Sequence, residues 1–129
     1  MPATGFYEWQ KGPGNTKHPM IIRLKSGEPF AFAGIWERWK DRANPEGVGA
    51  LSCSIITTRA NSLMEPIHDR MPVILPDELF REWLDPANDD VGQLKEMLLP
   101  YDPGLMEAFP VSSAVNSVKN DGPELILPI

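Results

Sequence analysis

The sequence predicts an α+β domain built on a mostly antiparallel sheet. Strand-like runs of mixed spacing are joined by short, turn-rich connections, two amphipathic helical stretches gather from Asp77 onward, and no regular strand–helix alternation suggests a parallel sheet. Ten glycines and fourteen prolines in 129 residues speak against long helices. With no repeat of roughly 20 to 50 residues and no low-complexity linker, residues 1–129 read as one domain.

Phe6 to Trp9 reads as the end of a strand, and Lys11-Gly12-Pro13-Gly14-Asn15 as a surface turn. Met20 to Lys25 is predicted to pair as a hairpin with the apolar run Phe30 to Trp36 across the turn Ser26-Gly27-Glu28-Pro29. Glu37 to Gly49, with Pro45, Gly47 and Gly49, reads as a loop. Ala50 to Thr58 alternates as a strand that buries Leu51, Cys53 and Ile55. Asn61 to Glu65 forms one helical turn stopped by Pro66. The loop Ile67 to Pro72 leads to the strand Val73-Ile74-Leu75. A helix from Asp77 buries Leu79, Phe80, Trp83 and Leu84, and a second near Asp89-Asp90 carries Val91, Leu94, Met97 and Leu98 as its stripe. Leu105 to Val111 and Glu124 to Leu127 complete the strands around the polar loop Ser112 to Pro123.

Composition narrows the function classes. Hydrophobic residues at 42% and charged residues at 23% are ordinary for a globular chain, and no apolar run approaches the roughly 20 residues of a membrane span. The first residues lack an export signal and the chain has one cysteine, which points to a reducing cytoplasm and no membrane partner. A net charge of −6 argues against a broad basic surface, yet a local arginine cluster can still hold phosphate. Neither GxGxxG nor GxxxxGK[ST] occurs, against a Rossmann or P-loop nucleotide enzyme.

Two clusters can carry chemistry. In Gly5-Phe6-Tyr7-Glu8-Trp9 three aromatics surround a carboxylate, an arrangement that desolvates it and prepares it to exchange a proton; an exposed strand glutamate gives the same pattern. In Ile67-His68-Asp69-Arg70-Met71-Pro72 a histidine can move protons and an arginine can grip phosphate; an ordinary surface ion pair between Asp69 and Arg70 is the alternative. His18, His68, Asp69 and Cys53 lack metal-ligand spacing, so no metal is expected, and Cys53 reads as a small buried hydrophobe. Trp9, Trp36 and Trp39 offer stacking platforms for unpaired bases, although a core tryptophan at Trp36 followed by a solvated loop fits the pattern better, and Trp83 is core.

Together these segments resemble the SRAP family, the SOS-response-associated peptidases that process abasic sites in single-stranded DNA. Pro2-Ala3-Thr4-Gly5-Phe6-Tyr7-Glu8-Trp9 is similar to the family's P-A-x-G-F-Y-E-W segment, and Ile67 through Leu75 to its I-H-x-R-M-P-V-I-L segment. Phe32-Ala33-Gly34-Ile35-Trp36, Thr57-Thr58-Arg59-Ala60-Asn61, Val115-Asn116-Ser117 and Asn120-Asp121-Gly122-Pro123-Glu124 also fit, with Val118 where a proline is often found. The resemblance implies a barrel-like, mostly antiparallel sheet with flanking short helices, a single-stranded DNA partner containing abasic sites, and no cofactor. It implies that an N-terminal cysteine closes its amine and thiol on the sugar aldehyde as a thiazolidine. Glu8 and His68 are implied to be the catalytic proton-transfer groups, Arg70 to hold a phosphate, and Trp9, Thr57 and Thr58 to line the strand's path.

The family's N-terminal M-C-G-R portion, with its cysteine, an asparagine and DNA-contacting arginines, has no counterpart before Pro2, so these residues are expected to form the C-terminal portion of the family domain. Cys53 has no free α-amine with which to close a thiazolidine. The family's autopeptidase reaction, removal of the residue before the cysteine, has no substrate bond here. A non-catalytic module that binds single strands or another protein is the second reading.

Overall fold

In the computed structural model, which describes residues 1–44 and 46–129, the chain forms β1 (Pro2–Ala3), β2 (Phe6–Lys11), β3 (Lys17–Leu24), β4 (Phe30–Phe32), β5 (Gly34–Trp39), β6 (Ala50–Ile55), β7 (Thr57–Arg59), β8 (Arg70–Pro72), β9 (Ile74–Leu75), α1 (Phe80–Trp83), α2 (Val91–Glu96) and β10 (Met106–Pro110). Every strand pairing is antiparallel, as the mixed spacing predicts. The sheets are β10-β3-β2, β1-β4-β9, β5-β6 and β7-β8, and among the described residues they do not close into one barrel.

β3 takes β2 on one side and β10 on the other, so Ile21 lies opposite both Tyr7 and Phe109. Both its edges are occupied, and the predicted hairpin between Met20–Lys25 and Phe30–Trp36 does not form. Gly27, at φ 74°, does turn the chain, a conformation open to glycine at little cost. Phe30–Phe32 then enters the other sheet and stacks edge-on: the Phe6 and Phe32 rings lie 5.7 Å apart, and Phe30 and Phe32 5.1 Å apart. Gly5 permits the step from β1 to β2, since a Cβ there would sit 3.1 Å from the Ile22 carbonyl oxygen.

The apolar runs 30–36 and 50–58 are each two strands rather than one. They break at Ala33 and Ile56, and a third chain segment breaks at Val73. The three residues close a ring of backbone hydrogen bonds: Ala33 N–H to Val73 O at 2.9 Å, Val73 N–H to Ile56 O at 2.9 Å, and Ile56 N–H to Ala33 O at 3.0 Å. Each segment therefore pairs with one neighbour before the junction and the other after it, giving β4–β9, β5–β6 and β7–β8 as three arms.

The core lies on either side of this junction. Ile22, Phe30, Phe32, Met64, Met71 and Met106 belong to one cluster, while Ala33, Val73, Leu75 and Met97 form the other, with Trp83 packed partly buried against it. Several expected positions lie outside both. β6 is exposed throughout, so Leu51, Cys53 and Ile55 are not the buried face predicted for them, and Leu84 and Val91 also face outward. The expected loop from Glu37 starts only after Trp39, and Pro45 lies outside the described residues. Arg70–Pro72, expected in a loop, pairs with Thr57–Arg59. Glu124–Leu127 is no strand: Pro123–Ile126 is a 3-10 turn that buries Leu125, because the Leu125 N–H bonds back to Gly122 O and the Leu127 N–H to Glu124 O.

Candidate nucleic-acid interface and proton-transfer site

The turn before His68 is fixed from inside. Asn61 is buried; its Nδ2 donates to Tyr101 O at 2.7 Å, and its Oδ1 accepts the Met64 N–H at 3.0 Å. Met64 O accepts the N–H groups of Ile67 and His68 at 2.7 and 2.8 Å. Met64 and Ile67 sit in the core, which leaves His68 at the surface with its side chain 43% exposed.

Main chain orients the imidazole. Its Nδ1 lies 3.1 Å from the Arg70 N–H, 3.2 Å from Arg70 O and 3.2 Å from Asp69 Oδ1. The neutral ring with its proton on Nε2 accepts from the Arg70 amide, while the imidazolium donates from Nδ1 to Asp69 or to Arg70 O. Both charge states thus have a partner at one ring orientation, which suits a group that gains and loses a proton in turn.

Arg70 is clamped to Thr57. Its Nε donates to Thr57 Oγ1 at 3.0 Å, and its Nη2 to Thr57 O and Oγ1, both at 2.7 Å. The β7–β8 register places Arg59 directly opposite Arg70 on the exposed face, and Thr58 opposite buried Met71 on the other. Thr57, Arg59 and Arg70 therefore share one surface, and half-buried Thr58 does not. Like charges directly opposite on a ladder repel, and among the described residues neither arginine has a carboxylate partner. An anion on that face would relieve the repulsion.

β2 brings the second cluster alongside. Phe6, Glu8 and Gln10 alternate onto one face; Phe6 packs on the core, and Gln10 Nε2 donates to Pro66 O at 2.9 Å within the turn that carries His68. Half-buried Glu8 lies between them on that face. Trp9 occupies the opposite face of β2, where its Nε1 donates to Asn116 Oδ1 at 2.8 Å. Arg59, Asn61 and Asn116 went unassigned as site residues in the sequence. Arg59 and Asn116 were visible only as members of the Thr57–Asn61 and Val115–Ser117 segments, and the burial of Asn61 left no local mark. Among the described residues no group of three or more His, Cys, Asp or Glu side chains could hold a metal ion.

The family model described as SOS response associated peptidase (SRAP) matches residues 1–118. Abasic site processing protein YoqW of Bacillus subtilis (strain 168) is 56% identical over 126 residues, a match covering 98% of this chain and 55% of the relative. Abasic site processing protein HMCES of Gallus gallus is 36% identical over 146 residues, covering 98% of this chain and 42% of that protein. A crystal structure of a protein from Bacteroides thetaiotaomicron superposes with a TM-score of 0.86 at 33% identity, over 100% of this chain and 55% of that one. The chain thus spans about half the length of the curated relatives it matches.

Proposed function

The chain belongs to the SRAP family, and from that premise we propose that it takes part in processing abasic sites in single-stranded DNA, with Glu8 and His68 moving protons and Arg70, Arg59 and Thr57 holding the backbone. The observation that carries this reading is the ring of His68, held on the Arg70 amide beside two arginines that face each other and, among the described residues, have no carboxylate partner. The names of the relatives YoqW and HMCES support the substrate class.

The family resemblance supplies the chemistry of the covalent step. An N-terminal cysteine's amine adds to the aldehyde carbon of the opened sugar, water leaves to give a Schiff base, and the thiol adds to that carbon to close the thiazolidine. Opening the sugar ring needs a proton delivered to its ring oxygen, and forming the carbinolamine and expelling water need further transfers. Glu8 and His68 are the groups assigned to these transfers. Cys53, the one cysteine of these residues, takes no part, because it lies within a peptide chain on exposed β6. Trp9 is proposed as a base-stacking surface and half-buried Thr58 as a support for the strand's path.

Fluorescence anisotropy with a labelled single-stranded oligonucleotide tests the reading. Binding should weaken steeply with salt, with a slope of about −0.7 in log–log form for each phosphate neutralised. Binding that is insensitive to salt, or undetectable at low salt, would overturn it.

A further inference from the structure

A cavity of about 630 Å³ opens where the end of β3, the turn after it, β9, the end of α2 and residues 99–105 meet. Its floor is core: Phe30, Ile74, Leu75 and Met97 line it and all are buried. At its rim Leu99 and Leu105 are 62% and 53% exposed. None of Glu8, Arg59, His68 and Arg70 lines it, and no residue of β1, β5 or β6 does.

Charge gathers around the same opening. Glu28, Asp77, Glu78, Glu96 and Asp102 line the cavity, all of them exposed, and among the described residues no lysine or arginine joins them. Nor, among the described residues, does any of the five form a salt bridge. The neighbouring Lys25 is already engaged, its Nζ donating to Gly104 O at 2.7 Å. Tyr101, on the same wall, registers the resulting field: after burial, the charges of Asp77, Glu78 and Asp102 raise its phenol above the usual 10.0. Carboxylates crowded around one opening repel one another, and cations brought among them relieve that repulsion.

A small cation would answer the charge but leave the floor and the two rim leucines in water. A peptide covers both, because lysine and arginine carry their charge on an apolar stem and a leucine-type neighbour can fill the floor. We propose that this cavity docks a segment of a partner protein in which apolar side chains are interleaved with lysine or arginine. The apolar side chains rest on Phe30, Ile74, Leu75 and Met97, and the cations meet Glu78, Glu96 and the carboxylates beside them. The proposal stands apart from the DNA chemistry, and its test contains no DNA.

A fluorescein-labelled peptide, Lys-Leu-Arg-Leu-Lys, is titrated with the 129-residue chain and followed by anisotropy. Saturable binding is expected, at least ~10-fold tighter than that of Lys-Ser-Arg-Ser-Lys, which keeps the charge, or of Glu-Leu-Gln-Leu-Glu, which keeps the leucines. Glu78→Lys, Glu96→Lys and Leu99→Ser, all at exposed positions, should each weaken it at least ~10-fold with unchanged circular dichroism. Absence of saturable binding, binding that these substitutions leave unchanged, or equal binding of the peptide without leucines would each overturn the proposal. So would displacement of the peptide by an equal concentration of spermidine, which would make the cavity a polyamine site, or self-association of the chain that Leu99→Ser abolishes.

Discussion

Arg70 and Arg59 are separated by ten residues of turn and face each other only because β7 pairs with β8 in that register. If each contacts one phosphate, Arg59→Ala and Arg70→Ala should each reduce the salt slope of single-strand binding by about 0.7, and Thr57→Val should weaken binding by releasing the Arg70 clamp. Anisotropy across a salt series measures all three. Tyr101 makes a separate prediction. Burial, and then the charges of Asp77, Glu78 and Asp102, raise its phenol above the usual 10.0. The folded state holds this proton more tightly than the unfolded state, so the stabilisation is complete below pH 10.0 and is lost as pH rises through the folded-state value. Urea denaturation above that pH should show the loss, and Tyr101→Phe should reduce it. Glu8, His68 and Arg70 stand out in the sequence as candidates because each lies inside a contiguous motif. Arg59 and Asn116 do not, since register and a contact across 107 residues give them their places.

At the scale of elements, a single buried amide ties the turn from Asn61 to His68 to the Tyr101 carbonyl. Asn61→Ala would leave Tyr101 O without its 2.7 Å donor, while the Met64 N–H keeps the Asn61 carbonyl at 3.0 Å, and should cost about 1–3 kcal/mol in chemical denaturation. Met64→Ala, in the core beneath the same turn, should cost about 2–5 kcal/mol. Most strands were readable from apolar runs bounded by turn residues, and the late helices from their spacing, but Glu124–Leu127 is a 3-10 turn and Arg70–Pro72 is a strand within a polar segment. Partners were not readable. Ala33 and Ile56 look like ordinary members of apolar runs, and nothing local marks them as the points where strands exchange neighbours. Periodicity likewise assigned β6 a buried face, because it reports which residues can be covered and not what covers them.

At the scale of the molecule, a chain with net charge −6 can still hold a strand of nucleic acid if its cations gather, as Arg59 and Arg70 do on one face. Glu8 and His68 are proposed to move protons for a covalent reaction at an abasic site. This role is tested most directly by placing the family's N-terminal cysteine segment ahead of Pro2 and following adduct formation on abasic single-stranded DNA by denaturing gel. A covalent adduct is expected, formed roughly 10²–10⁴-fold more slowly by Glu8→Gln and by His68→Ala while circular dichroism stays unchanged. Adduct formation at an unaltered rate in both variants would contradict it.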